Sequence, residues 1–70
     1  MITIDVIQKR IIEAIKNSGL QQVQIAKELR VSKQTVSHYV NGDKLPALDT
    51  FANLCKVLDL DANEILGIID

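Results

Sequence analysis

The twenty residues from Leu20 to Tyr39, LQQVQIAKELRVSKQTVSHY, constrain this chain more than any other stretch. Apolar residues fall at Val23, Ile25, Ala26 and Leu29, then at Val31, Val36 and Tyr39. Steps of three and four place Ile25, Ala26 and Leu29 on one helical face, and Val36 with Tyr39 on another. Two short helices joined by a tight turn satisfy this pattern, with the small Ala26 where the second helix must cross closely. Arg30 reverses the chain, Val31 plugs the turn, and the Ser32 hydroxyl can cap the helix that starts at Lys33. Lys33, Gln34, Ser37 and His38 then stand on the outer side of that second helix, all able to donate hydrogen bonds. A short helix with a donor-rich outer face fits the major groove of duplex DNA.

The rest of the chain reads as three further helices and no strand. A first helix runs from about Asp5 to Asn17, with Asp5 and Gln8 resembling a capping box. Val6, Ile7, Ile11, Ile12 and Ile15 form its apolar face, and Ser18-Gly19 stops it. Before it, Met1-Ile2-Thr3-Ile4 is suited to a short extended arm. The two central helices span about Gln22–Leu29 and Lys33–Val40, so the helix-turn-helix proper occupies about 22–40. Asn41-Gly42-Asp43-Lys44 is a loop, with Gly42 ending the preceding helix. A fourth helix covers about Leu48–Leu58, with Phe51, Leu54, Cys55 and Leu58 inward, Ala47 a poor cap and Asp49 suited to the helix dipole. Asp61 and Glu64 open a short fifth helix that ends about Leu66.

The string Gln22…Ala26…Val31-Ser32…Thr35-Val36…Tyr39…Asn41-Gly42…Pro46 resembles the Cro and lambda-repressor-like, or XRE, helix-turn-helix family. The likeness runs from about Arg10 to Leu66, and Phe51, Leu54, Cys55, Leu58 and Leu60 match the family's fourth helix and its exit. It implies an all-α fold: a compact five-helix DNA-binding domain filling residues 1–70. It also implies a sequence-specific transcriptional regulator, a repressor that occupies a two-fold operator as a homodimer. Carried over residue by residue, Lys33, Gln34, Thr35, Ser37 and His38 become the base-reading group. Gln22, Asn41 and Lys44 become phosphate contacts, and the aliphatic tail residues Ile65, Ile68 and Ile69 become the dimer interface. Three positions depart from the pattern: Arg30 and Asp59 stand where the family has Gly, and Gln21 where it has a Thr or Ser cap. These departures weigh on stability and local geometry more than on fold.

Each of these residues has a plainer reading. Any exposed helix carries Lys, Gln and His, and only their position one turn after Ser32 lifts them above solvated polar residues. Gln22 could be a surface amide, and Asn41 could cap the end of the third helix. Ile65 and Leu66 could pack on the first helix while Ile68 and Ile69 fray, although exposed Ile pairs are costly for a monomer. Two other functions fit the same fold: a module that binds a partner protein, and the DNA-binding domain excised from a longer regulator.

Composition narrows the classes. The net charge of −1 is not a DNA binder's usual signature, but it hides an asymmetry. Residues 19–45 carry Lys27, Arg30, Lys33 and Lys44 against Glu28 and Asp43, whereas residues 46–70 carry Lys56 against Asp49, Asp59, Asp61, Glu64 and Asp70. The DNA-facing half is mildly basic and the far end acidic, which can orient the domain on a duplex while giving weak long-range attraction. The lone Cys55 forms no internal disulfide and suits a reducing cytoplasm. One His and one Cys on different helices do not make a metal site, so no metal and no cofactor are expected. No phosphate-cradling glycine loop or catalytic triad is readable, and the chain is not expected to be an enzyme. No apolar run approaches the roughly 20 residues of a membrane span.

Overall fold

The computed structural model describes residues 1–69, and among them every regular element is helical: α1 (Ile4–Asn17), α2 (Gln22–Leu29), α3 (Lys33–Asn41), α4 (Leu48–Leu58) and α5 (Ala62–Leu66). Helix α2 packs on α3 and α4, and α1 on α3 and α5. The shared core is built from Ile11 and Ile15 of α1, Ile25 and Ala26 of α2, Val36 and Tyr39 of α3, and Phe51, Leu54 and Cys55 of α4. Ile25, Val36 and Leu54 are wholly shielded from solvent, and each such burial contributes about 1.5–3 kcal/mol. Among the described residues, no charged or polar one is buried with them. Burial, and secondarily the Asp49 carboxylate, raises the Tyr39 phenol above its ordinary value of 10.0.

Helix α1 begins one residue earlier than its sequence indicates. Thr3 occupies the cap position, its side chain makes no capping bond, and its carbonyl accepts the Ile7 N–H at 3.2 Å. The capping box expected from Asp5 and Gln8 does not form. Gln8 is recruited elsewhere: its Nε2 donates to the Gly42 carbonyl at 3.1 Å, tying α1 to the end of α3. Helix α3 likewise runs one residue further, to Asn41, and Gly42 rather than Asn41 caps it. The weak cap at Gln21 is compensated from within α2, where the Gln24 side chain accepts the Gln21 N–H at 2.9 Å. Asp61 caps α5 as its position indicates, accepting the Asn63 N–H at 2.9 Å.

Arg30 and Asp59, the two residues standing where glycine is usual, both adopt the left-handed backbone, with φ of 59° and 54°. That conformation costs a residue with a Cβ about 1 kcal/mol. Arg30→Gly should therefore stabilise the fold by about 0.5–1 kcal/mol, the greater freedom of the unfolded glycine chain offsetting part of the relief. Denaturant melts of the two proteins measure the difference. A less stable glycine variant would mean that the Arg30 side chain contributes more than its backbone strain removes.

Candidate nucleic-acid interface

Helix α3 is presented by its neighbours rather than by its own length. Ser32 sits at its N-cap with an extended backbone and accepts the Thr35 N–H at 3.1 Å. The Ser32 and Thr35 hydroxyls lie 2.9 Å apart, so Thr35, half-buried, is engaged in the cap. Val36 and Tyr39 hold the inner face in the core. Lys33 and Gln34 remain exposed on the first turn, and His38 lies one turn beyond Gln34, half-buried.

The start of α2 is joined to this helix by a side-chain bond across the motif. Ser37 donates its hydroxyl proton to Gln22 Oε1 at 2.6 Å in a half-buried position. The bond settles the Gln22 amide: its oxygen is taken, and its two N–H bonds remain to donate. The first amides of α2 lie beside it without intrahelical acceptors, so amide and helix N-terminus together present donors of the kind that bind an anion. Ser37, an expected base contact, is here the anchor of the Gln22 side chain.

Beyond α3 the chain turns through Gly42, whose φ of 80° belongs to the left-handed region that glycine adopts without strain. The Asp43 and Lys44 N–H groups then fold back on the His38 carbonyl, at 2.9 and 3.3 Å. Asn41 and Lys44 are both exposed at this end. The arrangement thus holds two exposed donors at one end of α3, the Gln22 amide beside it at the start of α2, an amide on its last residue, Asn41, and a cation, Lys44, in the loop beyond. All five base-reading candidates lie on α3, but only Lys33, Gln34 and His38 leave polar atoms uncommitted to the motif itself.

Asp43 was not among the residues singled out from the sequence. Its Oδ2 lies 3.4 Å from His38 Nδ1, the one contact between a basic and an acidic side chain within 4.0 Å among the described residues. The signal that could have found it is the loop itself, Asn41-Gly42-Asp43, which returns the chain toward His38 once Gly42 takes a left-handed backbone.

No group of three or more metal-ligating side chains occurs among the described residues. Burial, with a smaller contribution from the Asp61 carboxylate, raises the Cys55 thiol above its ordinary value of 9.0, away from nucleophilic reactivity. No described helix is long and apolar enough to cross a membrane.

A family model described as helix-turn-helix matches residues 11–65. No curated protein and no solved structure matches the chain.

Proposed function

From the premise that the chain belongs to the helix-turn-helix family, of Cro and lambda-repressor type, and is therefore of a DNA-binding regulatory kind, we propose that it is a sequence-specific, non-catalytic repressor acting in the cytoplasm. It reads a two-fold operator as a homodimer. The observation that carries this reading is the Ser37–Gln22 bond, which locks a phosphate-holding amide of α2 to the face of α3 that exposes Lys33 and Gln34. A helix fixed in this way meets base edges in a set register. Lys33, Gln34 and His38 read bases, with Thr35 and Ser37 beside them, and Gln22, Asn41 and Lys44 hold phosphates. Selection of bound sequences from a random duplex pool is the test. A two-fold consensus supports the reading. Failure to retain any duplex at low salt would sink it in favour of a protein partner, the reading that the net charge of −1 favours.

The homodimer rests on the tail. Ile65 is half-buried against the core, whereas Ile68 and Ile69 are 69% and 48% exposed. Leu48 at 84% and Ile4 at 58% flank an apolar cleft of about 100 Å³ that also includes Leu66. Large exposed aliphatics favour association. Ile68→Ser with Ile69→Ser should leave the helices folded, shift the protein toward monomer, and weaken operator binding by loss of the linked second half-site. Sedimentation at several concentrations decides this, since wild type and variant sedimenting alike as monomers would remove the tail from any dimer.

A further inference from the structure

We infer that Asp43 fixes the proton of His38 and so decides which base edges that side chain reads; the inference rests on the base-reading role proposed above. Four of the five helices end by one device. A left-handed residue (Arg30, Gly42, Asp59 or Gly67) is followed by an N–H that returns to the last turn. The returning bonds are Val31 to Ala26 at 3.0 Å, Asp43 to His38 at 2.9 Å, Leu60 to Cys55 at 2.8 Å and Ile68 to Asn63 at 2.9 Å. An apolar side chain ordinarily accompanies that returning position, and Val31, Leu60 and Ile68 conform. The exception is Asp43, at the end of the candidate recognition helix.

The exception has a partner. With its backbone already bonded to the His38 carbonyl, Asp43 brings Oδ2 to 3.4 Å from Nδ1 of the same residue. Gln8 steadies the turn from α1 by donating to the Gly42 carbonyl at 3.1 Å. An ionised carboxylate only accepts hydrogen bonds, and a neutral imidazole carries one N–H. The ring proton therefore sits on Nδ1, and Nε2 keeps a lone pair. A free imidazole side chain in water favours the opposite tautomer. In the major groove the two tautomers read opposite edges. A lone pair on Nε2 accepts from cytosine N4 or adenine N6, whereas an Nε2–H donates to guanine N7 or O6 or to thymine O4. Asp43 thus gives the helix an acceptor beside the donors of Lys33 and Gln34.

The chain holds a single histidine, so the nitrogen-15 spectrum of its ring reports one tautomer without overlap. At pH 8.5 the wild-type ring should show a protonated Nδ1 and a bare Nε2. Asp43→Ala should move the proton to Nε2, and Asp43→Asn, whose amide oxygen can accept, should restore the wild-type pattern. Selection from a random duplex pool at the same pH supplies the second arm. The operator position whose preference disappears in His38→Ala should favour cytosine or adenine in wild type. In Asp43→Ala it should shift about tenfold toward guanine or thymine on that strand. A wild-type ring protonated at Nε2, a tautomer unmoved by Asp43→Ala, or an unchanged base at that position would each overturn the inference. If no variant selects any sequence, the DNA-reading role itself falls, while the ring nitrogens still decide where the proton sits.

Discussion

Leu54→Ala should remove about half of the stability of this fold. Leu54 is wholly buried on α4, which packs against α2, and belongs to the core shared by α1 to α4. Truncating a fully buried leucine costs about 2–5 kcal/mol, combining lost transfer energy with the cavity left behind. A chain of 70 residues has only about 4–10 kcal/mol in total. Leu54 shares that core with the sequence's two aromatic residues, Tyr39 and Phe51, and with the aliphatic Ile11, Ile15, Ile25 and Val36. Chemical denaturation followed by far-ultraviolet circular dichroism gives the number. Leu54→Met, nearly equal in volume, should cost less than about 1.5 kcal/mol and separates cavity formation from general intolerance. A loss below 1 kcal/mol for the alanine variant would show that the core collapses around the missing side chain.

The second large effect separates reading from holding on DNA. Gln34 is exposed on the first turn of α3 and can bridge N6 and N7 of an adenine. Gln34→Ala should cost about 1–3 kcal/mol on the preferred operator and little on random duplex. Lys44, exposed in the loop after α3, should act differently. Its replacement by alanine should weaken both duplexes alike and flatten the slope of log K against log salt by about one unit. Titrations of both variants against both duplexes at several salt concentrations make the comparison. Equal losses from both variants on both duplexes would mean that α3 reads no bases.

The parts of this molecule legible in its sequence are those decided within a few residues. Ser32 announces the cap of α3 because an N-cap hydroxyl needs only the amide three positions on, and that bond forms. The left-handed backbones at Arg30 and Asp59 were legible because both residues stand where the resembled family has Gly, the residue that adopts this conformation without strain. The core faces followed from helical spacing, except that Val6, counted on the apolar face of α1, is exposed. What escaped was decided by contacts between distant segments. Asp5 and Gln8 have the spacing of a capping box, but the Gly42 carbonyl, 34 positions from Gln8, claims the glutamine side chain. Ser37 reads as an exposed donor until α2 is packed beside α3 and Gln22 takes its proton. Asp43 reads as one loop acid among several until the reversal at Gly42 sets it against His38. The positions Lys33, Gln34, Thr35, Ser37 and His38 all fall on α3 as the sequence indicates; which of their polar atoms stay uncommitted was a matter of tertiary packing.

The contact between Arg10 and the last helix has a dynamic consequence. A helix of five residues cannot hold itself together in water. The Arg10 guanidinium, 54 positions upstream of Glu64, donates to the carbonyls of Glu64 at 2.9 Å and Ile65 at 3.4 Å. Beneath it Ile2 approaches Gly67 so closely that a Cβ there would lie 2.5 Å from the Ile2 Cδ1. The arm and α5 are therefore coupled, and their opening releases an exposed guanidinium, a short arm and the half-buried contacts of Ala62, Ile65 and Leu66 with the core. Amide hydrogen exchange should register α5 as the first segment to open. The Ser37–Gln22 bond lies outside those contacts, so breathing of the ends leaves the α2–α3 pair in register. The protein can exchange its terminal contacts rapidly while the surface offered to DNA stays still.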